Sequence, residues 1–479
     1  MGDIAEQDQH QYVITIKDVK GMQEKIKEIP KLLNLTAGKE SCCIFRVPQT
    51  LVDINNKAYH PQILSIGPYH HGEPHLNMIE EHKWKYLGEL LDRTPPHVNG
   101  LNLYEYIDLI APLETRIRHC YSEFIDLSSF DLIKMMVLDG LFINELISKN
   151  KGVAHSDPDD PIFRRAWILA FLKRDLLRLE NQIPFFVLQT LFDNTRVTRS
   201  GDDDQTLAKL ILGFFDNMVL ERPDEVLERF VNHEGKHLLD FFRLSFIPPP
   251  SQPVIASNGF REVLERFANH KGKNDIPNSK RKGKNDHPSL QLIPSLKKLK
   301  AAGIKFKAKK GDTFSFLEIR FRYGVLEIPH ICIDDSITCF FLNSVAFEQG
   351  YNNYCSMDMT AYTSFMGCLI KNPSDAGFLG DQEIIENYSG TDEELANFFN
   401  DLRKDVVFDI DDNYLSKVFE DVNEYQRNGW HVHWAGFKNT YFNTPWSIIS
   451  ALAALTLLLL TMIQAFFAVY PYAGGKSAG

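Results

Sequence analysis

The feature that most constrains this chain is a stretch with no charged side chain, WSIISALAALTLLLLTMIQAFFAVY at 446–470. As an α-helix its 25 residues would reach about 37 Å, more than the roughly 30 Å of hydrocarbon in a bilayer. A core helix of that length would carry a polar stripe, whereas this one is apolar all round. Tyr441, Trp446, Tyr470 and Tyr472 flank it where amphipathic rings prefer the headgroup level, with Trp446 and Tyr470 as the ends of the span. The expectation is one C-terminal transmembrane helix followed by a short tail at 471–479.

Orientation follows from the flanks. Arg427 and Lys438, with His431 and His433 between them, precede the run, and only Lys476 follows it. Positive-inside counting therefore keeps the large domain cytosolic. The first ten residues, MGDIAEQDQH, show neither a basic nor an apolar signal-peptide region. Glu6 stands where myristoylation wants Ser or Thr. A tail-anchored, single-pass protein is expected, with the plasma membrane favoured.

Ahead of the anchor the composition is that of an ordinary globular protein, with 44% hydrophobic and 24% charged residues over 479 positions. A net charge of −11 argues against a general nucleic-acid binder, and none is expected as a partner. Seven cysteines with no C-x-x-C pair form neither a zinc pattern nor a disulfide framework, so reduced thiols are expected. The 34 Phe read as core filling.

Periodicity gives a mainly α fold: a large helical domain, a small β-hairpin element and the transmembrane helix. An amphipathic helix is expected in the N-terminal segment 1–40. The helical domain spans 41–440, with helices over 80–91, 101–147, 162–192, 338–370 and 392–427. Pro184 is expected to break or kink the third of these stretches, 162–192. Between 313 and 339, Phe314, Phe316, Ile319 and Phe321, then Val325, Ile328, Ile331 and Ile333, alternate with polar residues around Gly324, which reads as a hairpin or strand pair. An alternative is two helical lobes joined through a loop at about 245–300.

A duplication runs into that loop. EVLERFVNHEGK at 225–236 and EVLERFANHKGK at 262–273 agree at ten of twelve positions. Two copies are too few for a solenoid, and a tolerant surface insertion explains them. Residues 271–310 hold 13 Lys or Arg against Asp275 and Asp286, a local charge of +11 that leaves −22 for the rest of the chain. The bland reading is a solvated linker; the functional ones are a nuclear signal or contact with anionic lipid.

Candidate chemistry is sparse. YHHGEPHLNMIEEHK supplies His70, His71 and Glu80, good ligand and acid–base types at a spacing that fits no metal motif. Asp409, Asp411, Asn413 and Glu420 fall on EF-hand positions, but Tyr414 replaces the required Gly. No metal site and no cofactor is expected. Asp139, in MMVLDGLFINELI, and Glu180, Asn181 and Gln182, in DLLRLENQIPFFVL, are polar groups inside apolar runs, and burying them requires partners. They belong either to a structural network or to a catalytic site with His70, His71 and Glu80. In the structural reading Glu180 pairs with Arg174 or Lys83, and Asn181 and Gln182 satisfy backbone freed by Pro184, stapling a bent helix.

These blocks resemble the plant proteins carrying domain of unknown function 247. The resemblance rests on SCCIFRVPQ (41–49), YHPQILSIGPYHHG (59–72), MIEEHKWKYL (78–87), MVLDGLFINELI (136–147) and RDLLRLENQIPFFVL (174–188). It continues through KHLLDFFR (236–243), AAGIKF (301–306), LEIPHICIDD (326–335) and YFNTPWSIISALAALTLLLLTMIQ (441–464). The duplicated basic loop is not part of the pattern. The family implies no agreed activity and no catalytic residues. Some grass members resemble self-incompatibility determinants, which implies recognition of an unidentified protein partner rather than catalysis. The expectation is a membrane-anchored recognition or scaffold protein; the alternative is a membrane-tethered, hydrolase-like enzyme.

Overall fold

The structure, a computed structural model, describes residues 16–28, 30–98, 100–155, 157–195, 206–216, 218–219, 228–230, 233–248, 292–309, 315–403, 406–407, 409–411, 413–427 and 445–473. The second copy of the duplicated segment and the basic stretch up to residue 291 lie outside these residues, as do His431, His433, Lys438, Tyr441 and Lys476.

The helix Ser129–Asn150 organises the first half. Its N-terminus is capped by the Ser128 side chain, which accepts from the Asp131 N–H. From Leu132 to Lys149 nearly every residue is buried, so its apolar residues are not confined to one stripe. It packs against Asn77–Arg93, Leu103–Ile110, Phe185–Thr195 and Leu207–Phe214. Asp335–Gly350 organises the second half, packing against Asn56–Tyr59, Ala166–Asp175, Leu238–Leu244 and Asp358–Leu369. Its cap, Asp334, accepts from the N–H groups of Ser336 and Ile337, both at 2.8 Å. Asp392–Leu402 closes the end, against Asp358–Leu369 and Pro373–Asp381.

Buried apolar side chains from Cys43 to Val422 form one continuous core. Phenylalanine fills its middle. Phe246 lies 5.1 Å from Phe242 and 5.6 Å from Phe340, and Phe316 lies 5.0 Å from Tyr362, ring centre to ring centre. All seven cysteines are free thiols.

Strands are few. β2 (Arg320–Arg322) and β3 (Val325–Ile328) form the expected hairpin. Its two-residue turn, Tyr323 and Gly324, has φ of 52° and 74°, as a tight hairpin turn requires. β1 (Lys305–Ala308) adds a parallel partner on the other side of β3. The alternation beyond Pro329 belongs to another sheet: β4 (Ile331–Ile333) pairs in parallel with β5 (Ile385–Asn387). Proline removes a backbone donor, so one continuous strand across residue 329 would lose a ladder bond.

One expectation is corrected. Residues 176–184 are not a bent helix. Ala166–Asp175 ends before them and Phe185–Thr195 starts after them. Pro184 therefore stands just ahead of a helix, where its missing N–H costs nothing, and it kinks none.

The C-terminal helix, Pro445–Ala473, is 29 residues long. Within it Ile449–Ala468 has mean hydropathy 2.2 and is 0% buried against the rest of the chain. By length and composition it can cross a membrane. Thr456 and Thr461 donate their hydroxyls to Leu452 O and Leu458 O, so these two groups are satisfied within the helix. Trp446 is exposed; Tyr470 lies in the helix, and its side chain is outside the described residues.

Candidate functional site

Residues 61–70 run through the interior without regular structure apart from bends, so their backbone N–H groups need side-chain partners. Asp175, fully buried at the end of Ala166–Asp175, accepts from Gln62 N at 3.0 Å, Ile63 N at 2.8 Å and Leu64 N at 3.0 Å. Asn181 Oδ1 accepts from Ile66 N at 2.7 Å, and its amide donates to Leu64 O and Asp175 O. Asp139 Oδ2 accepts from Gly67 N at 2.8 Å. Gln182 binds its own loop, donating to Leu176 O and Arg178 O.

The charged candidates divide into two groups strung along this segment. In the first, Lys83 Nζ is 2.7 Å from Asp139 Oδ1, 2.6 Å from Glu80 Oε1 and 2.5 Å from Ser65 O. Burial works against the Lys83 ammonium, but the charges of Asp139 and Glu80 outweigh it and raise its pKa. In the second, Glu180 Oε1 accepts from Val47 N at 2.7 Å, and Oε2 accepts from Arg46 at 2.6 Å. His70 Nε2 is 3.5 Å from the same oxygen, and His70 Nδ1 bonds Glu73 at 2.8 Å. Burial pushes the Glu180 carboxyl up, but His70, the Val47 N–H and Arg46 together bring it below the ordinary range.

The expected partners of Glu180 are thus replaced. Arg174 is instead 3.7 Å from Asp335, and Lys83 belongs to Asp139. Of the proposed catalytic set, His70 meets Glu180 and Glu80 shares Lys83 with Asp139, while His71 is exposed. Three grooves on the described surface contain none of these residues. One of them, about 290 Å³, is lined by Ile54, Ile333, Thr338, Leu395, Phe398 and Asp401 among others. The arrangement does the work of a scaffold: fixed charges and amides hold an irregular segment in the core.

Sequence reasoning passed over Arg46 and Asp175. Arg46 pairs across 134 positions and Asp175 across 112, beyond any spacing rule. The available signal for Asp175 was slight, a carboxylate at a helix end that follows Lys173 and Arg174 and precedes Leu176 and Leu177. A further buried network was also missed. Arg243 lies 2.9 Å from Asp240 and 3.0 Å from Glu348. Glu348 also accepts from Met359 N, Thr360 N and Thr360 Oγ1.

Comparison with known proteins gives a family. A profile described as a plant protein of unknown function, DUF247, matches residues 44–460. UPF0481 protein At3g47200 of Arabidopsis thaliana is 41% identical over 448 residues, covering 93% of this chain and 90% of its own. A second Arabidopsis thaliana UPF0481 protein, At3g02645, is 25% identical over 487 residues, covering 89% and 90%. No solved structure matches.

Proposed function

The chain belongs to the plant family carrying domain of unknown function 247, and from that premise we propose that it is a membrane-tethered recognition module. Its C-terminal helix sits in the bilayer, its helical domain lies in the cytosol, and the surface of that domain binds another protein. The observation that carries this reading is the use already made of the acid–base side chains. Asp139, Asp175, Glu180 and Asn181 hold backbone N–H groups of the 62–67 segment and of Val47. A catalytic set would instead converge on an open cleft. The charges flanking the apolar run, Arg427 and Lys438 against Lys476, support the cytosolic side.

Substitution at Glu180 tests the reading. Glu180→Ala leaves the buried Val47 N–H without its acceptor and takes from Arg46 its shortest carboxylate contact, leaving it Glu123 and Tyr69 O, and the expected loss of stability is about 2–4 kcal/mol. Urea unfolding measures it. Substitution of the exposed His71 should leave unfolding unchanged. A Glu180→Ala chain that unfolds like the parent, yet loses a cross-linked partner or a turnover, overturns the structural role and returns the segment to the enzyme reading.

A further inference from the structure

On the two-stranded sheet, far along the chain from the networks above, three metal-ligating types meet at one point. β4 and β5 are parallel and in register, with Cys332 opposite Glu386. Side chains alternate across a strand, so His330 and Cys332, two apart, share a face. Ile331 and Ile333 point the other way and are buried, at 0% and 1% exposure. The face carrying His330, Cys332 and Glu386 is therefore the outward one.

The distances suit a small cation. Cys332 Sγ is 3.5 Å from a Glu386 carboxylate oxygen, and His330 Nε2 is 3.8 Å from the same oxygen. One ligand atom from each of the three residues lies within 4.8 Å of the others. Bond lengths of about 2.3 Å to sulfur and about 2.0–2.1 Å to nitrogen and oxygen set the edges of a tetrahedral zinc site at roughly 3.3–3.6 Å. The trio is already near one triangular face of such a tetrahedron. Its other carboxylate oxygen, Glu386 Oε1, is held at 2.5 Å by the Tyr388 hydroxyl, the kind of outer contact that orients a ligating carboxylate. Asp334, the nearest additional carboxylate in sequence, already caps Asp335–Gly350.

We propose that His330, Cys332 and Glu386 form a surface zinc site with three protein ligands and a water in the fourth position. Thiolate and imidazole favour zinc over calcium or magnesium. On binding, the Cys332 thiol releases its proton to solvent and sulfur bonds the metal. The ligands straddle both strands, so the ion also ties β4 to β5.

The full chain, purified in detergent, is titrated with Zn²⁺ against a chromogenic chelator and, separately, with Co²⁺. One equivalent should bind, and Co²⁺ should give the near-ultraviolet thiolate-to-metal charge-transfer band. Cys332→Ser should abolish that band. His330→Ala and Glu386→Gln should each weaken Zn²⁺ binding at least tenfold. Tyr388→Phe should weaken it by about 10-fold or more, the ordinary effect of removing an outer-shell partner. The half-exposed positions allow each variant to fold, and thermal unfolding without metal checks this. A folded parent chain that binds no equivalent, or variants that bind as the parent does, overturn the site. So does a cobalt band that survives Cys332→Ser, which would place the metal on another thiol.

Discussion

Arg243 faces more negative charge than it can balance. Asp240 and Glu348 both bond it in a fully buried setting, and one guanidinium compensates one carboxylate. Burial pushes Glu348 up to about 7, against the pull of Arg243 and of the Thr360 and Met359 donors. The folded state therefore holds a proton between about pH 4.5 and 7 that the unfolded chain has lost. Glu348 contributes stability that is fully present below about pH 4.5 and lost as pH rises through about 7. His237, buried beside this group, is shifted the other way. Burial lowers it to about 4, so its contribution is present above about pH 6.5 and lost as pH falls toward 4. The two slopes oppose each other across the shared window. Glu348→Gln removes one of them. From pH 7 to pH 5 the variant should lose about 2 kcal/mol relative to the parent, a shift of roughly 1.4 kcal/mol per pKa unit applied over that interval. Urea midpoints at the two pH values measure it, and parallel profiles would reject the assignment. None of this was legible in sequence, since 105 positions separate Arg243 from Glu348. What sequence did offer was residue type: Asp139, Glu180, Asn181 and Gln182 stand out as polar groups inside apolar runs. Their partners did not stand out, because a hydrogen bond to a distant backbone N–H leaves no spacing signature.

At the scale of elements, amphipathic helices were readable because their periodicity is local. The hairpin was readable because alternation and Gly324 lie within a few residues of each other. The parallel pairings of β1 with β3 and β4 with β5 were not, since each strand is three or four residues long and its partner is remote. The same limit hid the metal-ligating trio, whose Glu386 comes from a strand 54 positions beyond Cys332. The 62–67 segment shows tertiary contact overriding local rules most sharply. It passes close to the loop at 176–184 through Gly67, whose φ is +71°. A Cβ there would lie 2.5 Å from Gln182 O and 3.1 Å from the Tyr121 hydroxyl. Gly67→Ala should cost about 2–4 kcal/mol, combining left-handed strain with overlap against backbone. Gly72 separates the two contributions. Its φ is +83° with nothing within 4 Å of a built Cβ, so Gly72→Ala should cost only about 1–2 kcal/mol. Equal losses in the two variants, read by thermal unfolding, would show that the approach of the two loops carries no weight.

The whole molecule presents one physical difficulty in water, the helix Pro445–Ala473. Its length and apolar character were legible because a bilayer-spanning run is a local, compositional signal. Its relation to the domain was not, and the structure supplies that: Ile449–Ala468 is 0% buried against the rest of the chain. Sequestering one Leu, Ile or Phe side chain is worth about 1.5–3 kcal/mol, and the span holds eleven large apolar residues. Leaving them in water would cost more than the roughly 5–15 kcal/mol that holds a typical domain folded. A helix with its backbone bonded internally and its Thr456 and Thr461 hydroxyls donated to its own carbonyls meets the requirement that hydrocarbon imposes. The prediction is that the full chain stays with microsomal membranes through an alkaline carbonate wash, while the chain lacking residues 445–473 appears in the supernatant. Salt alone should release neither the full chain nor a variant with the basic 271–310 lysines neutralised. Charged headgroup contacts are screened by salt, whereas hydrophobic burial is not. Release of the full chain by salt would assign membrane attachment to the basic loop. Pelleting of the helix-deleted chain after the carbonate wash would place the anchor elsewhere in the domain.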